Sequence, residues 1–178
     1  MISQDQIKLL QSYRDKSYVT SILCSQTGEF YSFIRSMINV PLICFSSVVT
    51  IFNVMSNESS TVELKYANIG LNATTSLILT LIGNFKLAEK VTNFKNIEIK
   101  MNKLCHSIED KLTNDLENTS TENIRQIINE YDTLNEQLDY PFIGFIKNRV
   151  KRTYMGKKAL PNILNCEIAF VNVEVQNL

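Results

Sequence analysis

Two long uncharged runs dominate the hydrophobic pattern of the chain. Residues 36–57 contain no charged side chain between Arg35 and Glu58, and residues 66–85 contain none between Lys65 and Lys86. A bilayer core of about 30 Å needs roughly 20 helical residues, so each run is long enough to cross it. Buried helices of soluble proteins seldom avoid charge over such a length, and charge is costly at the centre of a bilayer. The pattern predicts a two-span transmembrane hairpin over residues 36–85, with the central helices of a soluble bundle as the alternative.

The charges around the two runs predict the orientation of the hairpin. The loop that joins the runs holds two acids and one lysine, whereas the outer flanks hold four basic residues: Arg35, Lys86, Lys90 and Lys95. Basic flanks stay on the cytosolic side, so both termini are expected there. The first 35 residues contain no apolar stretch typical of a cleaved signal peptide, and the first span is therefore predicted to direct its own insertion.

Segments with the hydrophobic period of a helix flank the hairpin. A capping box at Ser3 and Gln6 opens an N-terminal amphipathic helix over residues 1–35, in which Gly28 marks a possible break. The second span is expected to continue as helix to about residue 117. A second capping box at residues 119–122 opens a further helix, which ends before Pro141. These segments predict a cytosolic helical bundle over residues 86–140, completed by the N-terminal arm.

The last part of the chain, residues 141–178, combines a basic segment with an alternating tail. Six basic residues and no acid occur over residues 147–158: Lys147, Arg149, Lys151, Arg152, Lys157 and Lys158. Beside aromatic and aliphatic residues they are suited to an anionic membrane surface or a partner protein. Residues 168–175 alternate as a short strand that would add to a partner's sheet, with a disordered tail as the alternative. Nothing resembles a base-reading module, so nucleic acid is not the expected partner.

Small and hydrogen-bonding residues recur at helical spacing within each uncharged run. They form one stripe per predicted span: Ser46, Thr50 and Asn53 in the first, and Asn72, Ser76, Thr80 and Gly83 in the second. Such stripes allow close helix packing in lipid. They are expected to join the two spans or several copies of the chain, and the alternative is a pore lined by a homo-oligomer. No ionisable residue interrupts either run to mark a proton or ion relay.

Composition and motifs offer no catalytic, metal or cofactor site. The 18 basic and 18 acidic residues cancel, and the four cysteines are scattered without a CxxC pair, which is typical of reduced cytosolic thiols. The single histidine, His106, follows Cys105, but neighbouring helical residues point about 100° apart. No glycine pattern predicts a phosphate-binding loop. We therefore expect neither an enzyme nor a binding protein for small molecules.

Three segments together resemble the SLATT-type two-pass membrane proteins, over about residues 13–152. They are NVPLICFSSVVTIFN at 39–53, SLILTLIGNFKLAEK at 76–90 and IEIKMNKLCHSIEDKL at 97–112, preceded by the N-terminal helix. The resemblance implies one of two functions. Related two-pass proteins of large nucleocytoplasmic DNA viruses suggest a minor capsid protein that ties an internal membrane to the capsid shell, through the C-terminal tail. The alternative is a pore-forming effector of the host cell membrane. We expect the first, a membrane-anchored structural protein of the virion.

Overall fold

Every regular element of the described chain is a helix, which confirms the predicted all-α fold. The computed structural model describes residues 3–58, 62–114 and 120–164. Five helices follow one another: α1 (Gln4–Glu58), α2 (Val62–Phe85), α3 (Leu87–Asn114), α4 (Thr121–Glu136) and α5 (Gly144–Tyr154). A short helical turn at residues 162–164 follows. The strand predicted within the C-terminal tail lies outside the described residues.

The first of two compact units is a helical bundle formed by Met1–Gly28 and Thr92–Leu178. Its core draws apolar side chains from all the helices it contains: Leu10, Val19 and Leu23 of α1; Phe94, Ile97, Met101, Leu104 and Ile108 of α3; Ile124, Ile127, Tyr131 and Leu134 of α4; Ile146 and Val150 of α5. The rings of Tyr13 and Tyr131 meet edge to face with centroids 5.4 Å apart, and those of Phe94 and Phe142 are also 5.4 Å apart. The predicted bundle therefore forms, with the N-terminal arm packed against α4.

Helix α1 buries several small residues in this bundle beside its large apolar side chains. Ser17, Thr20, Cys24 and Thr27 are fully buried at spacings of three and four. The break expected at Gly28 is absent, because α1 continues through it without interruption. A Cβ atom added at Gly28 would lie 3.4 Å from the Cβ of Phe94. Gly28 therefore serves the close approach of α1 and α3 instead of ending a helix.

The two predicted capping boxes have different outcomes. At the start of α1, the Ser3 hydroxyl accepts from the Gln6 N–H at 3.2 Å, and Gln6 Oε1 accepts from the Ser3 N–H at 3.0 Å. The predicted capping box is thus confirmed. Helix α4 begins one residue later than predicted, because Ser120 is its N-cap and accepts from the Asn123 N–H at 3.3 Å. A serine side chain satisfies a terminal N–H well, so the neighbouring serine serves as the cap.

The second compact unit, Glu29–Val91, contains an antiparallel helical hairpin. Within this unit α1 and α2 run side by side, with Asn53 hydrogen-bonded to Asn68 across the pair. The Lys90 ammonium lies 5.3 Å from the centre of the Tyr31 ring, which ties the start of α3 to α1. The continuous helix predicted from residue 66 to about 117 is wrong at one position. Lys86 adopts a φ of 48° and its N–H bonds the Gly83 carbonyl at 3.3 Å, so α2 ends and α3 begins there.

Candidate membrane-spanning hairpin

The surface of the second unit is rich in exposed apolar side chains. Twenty large apolar residues are exposed among the described residues, and fourteen of them lie in this unit: Phe33, Met37, Val40, Ile43, Phe45, Val48, Ile51, Val54, Val62, Tyr66, Ile69, Leu77, Leu79 and Phe85. Only Val49 and Leu87 are buried apolar residues among those described there. Soluble monomers rarely expose such a continuous apolar surface. The surface of this unit is therefore typical of a segment that is covered by lipid or by another apolar surface.

Helix α1 alone, among the described residues, is long and apolar enough by itself to cross a membrane. The qualifying segment lies within Gln4–Val54, and only 6% of its most apolar 18-residue window is buried. A core helix of a soluble protein would be mostly buried. Helix α2 has sufficient length, with 24 residues, but amide and hydroxyl side chains lower its apolar character.

Five hydroxyl groups of the hairpin donate hydrogen bonds to carbonyl oxygens of their own helices. Thr50 Oγ1 donates to the Ser46 carbonyl at 2.9 Å, and Thr80 Oγ1 donates to the Ser76 carbonyl at 2.8 Å. Three further hydroxyls outside the predicted stripes, those of Ser47, Thr74 and Thr75, do the same four residues back. Because these donors need no water, the hydroxyl-bearing helices are compatible with a lipid environment.

Three asparagines form a hydrogen-bonded chain across the hairpin. Asn68 Nδ2 donates to Asn53 Oδ1, and Asn72 Nδ2 donates to both the carbonyl oxygen and Oδ1 of Asn68, at 3.0 Å each. The structure thus links the predicted residues Asn53 and Asn72 through Asn68, which the sequence analysis did not single out. The four-residue spacing of Asn68 and Asn72 on one helix was the available signal.

The remaining predicted stripe residue, Gly83, lies away from the asparagine chain. A Cβ atom added there would meet no neighbouring atom within 4 Å, so Gly83 makes no close helix contact. Together with Arg35, Asn39 and Lys86 it lines an open groove of about 300 Å³. This groove lies at the end of the hairpin opposite the loop between α1 and α2.

The six basic residues of the C-terminal segment do not share one environment. Four of them, Lys147, Arg149, Lys151 and Arg152, belong to α5, a helix that the sequence analysis did not predict. Lys157 and Lys158 follow in a turn. Lys158 packs into the bundle, since its Nζ lies 3.9 Å from the centre of the Tyr18 ring and 3.9 Å from Asp15 Oδ1.

Asp15 ties this turn to the N-terminal helix through further contacts. Its Oδ1 accepts from Arg14 Nη2 at 2.8 Å, and its Oδ2 accepts from the Ala159 N–H at 3.4 Å. Lys158 is therefore a structural contact of the bundle rather than part of an open basic surface.

The Cys105 and His106 pair is divided between core and surface. Cys105 is buried, whereas the His106 side chain is exposed with its Nδ1 3.6 Å from Glu109 Oε2. Burial raises the pKa of the Cys105 thiol and raises that of the buried Cys24 thiol to about 12. Thiols of raised pKa are poor nucleophiles. Within the described part of the chain, no group of three metal-ligating side chains converges.

Comparison with known proteins identifies no relative. The chain matches no family model, and no curated protein and no solved structure is significantly similar to it.

Proposed function

We propose that the chain is a two-pass integral membrane protein that anchors a cytosolic helical bundle. Residues 36–85 cross the bilayer twice, and both termini lie on the cytosolic side. The exposed apolar surface of the hairpin carries this proposal, because thirteen large apolar side chains are exposed there among the described residues. Moving one such side chain fully out of water is favourable by about 1.5–3 kcal/mol. Lipid would cover the whole surface without requiring a partner protein.

The internal hydrogen bonds of the hairpin support the same proposal. Helix α2 contains several polar residues, yet the hydroxyls of its three threonines bond carbonyls four residues back and Asn72 bonds Asn68. An unpartnered polar group in the hydrocarbon region costs several kcal/mol, so this pairing lowers the cost of inserting α2. A hairpin is also favoured because α1 and α2 already pack antiparallel.

As its role, we propose a structural anchor of the virion that connects an internal membrane with the capsid shell. The resemblance to two-pass proteins of large DNA viruses suggests this role, and a folded bundle joined directly to a hairpin suits it. The C-terminal tail is the proposed contact with the shell. Deleting residues 165–178 removes this tail and retains Leu164, which is buried in the bundle. We expect the shortened chain to stay in the membrane but to separate from the shell during virion fractionation. Unchanged association with the shell would count against this role.

A pore-forming effector is the second candidate, favoured by the asparagine chain. Asn53 and Asn72 carry exposed amides in the hairpin, so in an oligomer they are placed to line a polar path. Their amides alternatively hold α1 and α2 together, as their contacts with Asn68 suggest. Release of a trapped dye from liposomes distinguishes the two functions.

The purified full-length chain is the sample for this dye-release measurement, at several protein densities. An anchor is expected to leave the vesicles intact, whereas a pore gives leakage that rises steeply with density. In the pore case, the double substitution Asn53→Leu and Asn72→Leu abolishes leakage. Thr74→Val is the matched control, since the Thr74 hydroxyl bonds only the Gly70 carbonyl of its own helix among the contacts described. If the unmodified chain and the Thr74→Val control cause leakage and the double variant does not, the pore-forming function would replace the anchor as the proposed function.

A further inference from the structure

Helix α5 has two faces with different chemistry. Ile146 and Val150 are buried in the bundle, with 4% and 1% of their surfaces exposed. Phe145, Arg149 and Arg152 follow one another at spacings of four and three, which places them together on a second face, about 110° round the helix from the buried one. All three are exposed. The outward face of α5 therefore presents an aromatic ring beside two guanidinium groups.

The exposure of apolar side chains in the bundle is greatest in this segment. Phe145 is 58% exposed, and Met155, at the C-cap of α5, is 61% exposed. No other large apolar side chain described in the bundle exceeds 45%. A helix face that is merely solvated would carry polar residues at these positions. The combination of apolar and basic side chains is instead typical of helices that lie at a membrane interface.

Charge is concentrated on the same segment. Residues 144–158 contain six basic residues and no acid, whereas α4 carries four acids against the single Arg125. Lys158 is engaged by Asp15, but Arg149, Arg152 and Lys157 are exposed. An anionic surface is therefore attracted to α5 and not to the acidic helix beside it in sequence.

We propose that α5 docks on the anionic lipid surface of the cytosolic leaflet through Phe145, Arg149 and Arg152. The inference rests on the proposed membrane insertion, which brings the bundle to the bilayer because α1 and α3 each run from one unit into the other. Because the bundle is tethered to the bilayer in this way, lipid is the surface that α5 encounters at the highest effective concentration. Guanidinium groups bind phosphate in a bidentate manner, and aromatic rings settle at the level of the headgroups.

A tryptophan reporter tests the docking directly, because the chain contains no tryptophan. The full-length Phe145→Trp variant is placed in vesicles of phosphatidylcholine whose acyl chains are brominated, with or without 30% phosphatidylglycerol. Bromine quenches indoles that enter the bilayer. We expect strong quenching at position 145 with the anionic lipid and weaker quenching without it. Ile99→Trp is the matched control, since Ile99 is an exposed apolar residue on α3, and it should remain unquenched.

Neutralising the two arginines provides the second readout. Each cation near an anionic membrane is worth about a fivefold change in the ratio of docked to undocked helix. Arg149→Gln with Arg152→Gln should therefore lower this ratio up to about thirtyfold and remove the quenching. The control pair Lys103→Gln with Arg125→Gln removes two exposed cations from α3 and α4 and should leave quenching unchanged. High salt should weaken quenching in the unmodified background.

Three results would overturn the inference. One is a reporter at position 145 that is quenched no more than the reporter at position 99. Another is quenching that does not respond to phosphatidylglycerol, to salt or to the arginine substitutions. A third is a blue shift of the tryptophan emission at position 145 that grows with protein density while bromine quenching is absent. That result would identify a second copy of the chain as the occupant of this face. Loss of the whole chain from the vesicles at alkaline pH would contradict the proposed membrane insertion as well, whereas a retained chain with an unquenched reporter contradicts docking alone.

Discussion

Gly28 lies where helix α1 comes close to helix α3. A glycine within a long helix predicts a weak point, yet α1 continues through Gly28. The missing side chain makes room for Phe94. Phe94 is fully buried and also packs against Phe142. A position of this kind tolerates one methyl group and little more, because packed interiors accommodate added volume poorly.

Substitutions at Gly28 should separate helix propensity from packing. Gly28→Ala places a Cβ atom at 3.4 Å from the Cβ of Phe94, which is an ordinary contact, and removes the helix penalty of glycine. We expect the free energy of unfolding to rise by about 0.5–1 kcal/mol. Gly28→Leu must displace Phe94 and should lower it by about 1–3 kcal/mol. Denaturation of the full-length chain in mild detergent measures both, and equal stability of the two variants would contradict the close approach.

The buried thiol of Cys24 predicts a loss of stability at alkaline pH. Burial raises its pKa to about 12 from the ordinary value of 9.0, so the folded chain keeps a proton that the unfolded chain releases. Stability is therefore complete below about pH 9 and falls between that pH and about 12, by up to about 1.4 kcal/mol per pH unit. Unfolding measured at pH 8 and pH 10 should show a loss of about 1 kcal/mol from this group.

Two alanine substitutions identify the thiol responsible for this pH dependence. Cys24→Ala should make the loss between pH 8 and pH 10 smaller by about 1 kcal/mol, because the titrating group has been removed. Cys44→Ala should retain the loss that Cys24 causes, because the Cys24 thiol remains in place. Identical pH dependence in the two variants would show that Cys24 does not titrate as described.

Helical spacing predicted part of the candidate site at the residue scale. It selected Asn53 and Asn72, which are joined in the structure, but it missed Asn68, the residue that joins them. Spacing along one helix cannot show which residues meet across two helices, because that depends on the register of the hairpin. Spacing also could not show that Lys158 differs from the other basic residues, because its contact, Asp15, lies far away in the sequence.

At the scale of elements, the break between α2 and α3 depends on one residue in an unusual conformation. Lys86 has a φ of 48°, in the left-handed region that costs a non-glycine residue about 1–2 kcal/mol. Its side chain reaches Glu89 at 3.3 Å, an exposed pair that contributes little. The sequence pattern gave no sign of this break, because the apolar period continues from α2 into α3 across a lysine.

Glycine at position 86 should therefore stabilise the junction. Lys86→Gly adopts this backbone without steric cost, and we expect stability to rise by up to about 1 kcal/mol. Lys86→Val loses the same charge but is β-branched, so it should destabilise the chain. The two variants have the same charge, so the difference between their thermal unfolding temperatures in the same detergent reports the cost of the left-handed backbone at position 86. A valine variant as stable as the glycine variant would indicate that no left-handed residue is required there.

The elements that the sequence predicted are those with a clear hydrophobic period. Helix α4 buries Ile124, Ile127, Tyr131 and Leu134 as its spacing indicates. Helix α5 escaped prediction because its pattern is short, its basic residues dominate, and its N-cap Ile143 provides no side-chain hydrogen bond. The face of α1 that packs in the bundle was only partly predictable from the hydrophobic pattern, because small polar residues such as Ser17 and Thr27 are buried there among apolar ones.

At the scale of the whole molecule, the chain divides into two units with opposite surfaces. Among the described residues, the bundle Met1–Gly28 with Thr92–Leu178 exposes six large apolar side chains, whereas the shorter unit Glu29–Val91 exposes fourteen. A single solvent does not suit both surfaces. The proposed function accounts for this difference by placing water around the bundle and lipid around the hairpin. The all-α fold followed from the hydrophobic period, but the sequence did not predict that residues 29–35 belong to the same unit as the hairpin. Tyr31 of this segment contacts Lys90.

The topology of the chain in sealed microsomes tests the placement of the hairpin in lipid most directly. The full-length chain, with different epitope tags at its two ends, is inserted during translation. One portion of the microsomes is extracted with alkali, and a second portion, still sealed, is exposed to protease from the cytosolic side. We predict that the chain resists extraction and that protease removes both tags, because two spans return the chain to its starting side. Protection of one tag would show a single span formed by α1 alone, and release by alkali would show that the hairpin does not enter the membrane.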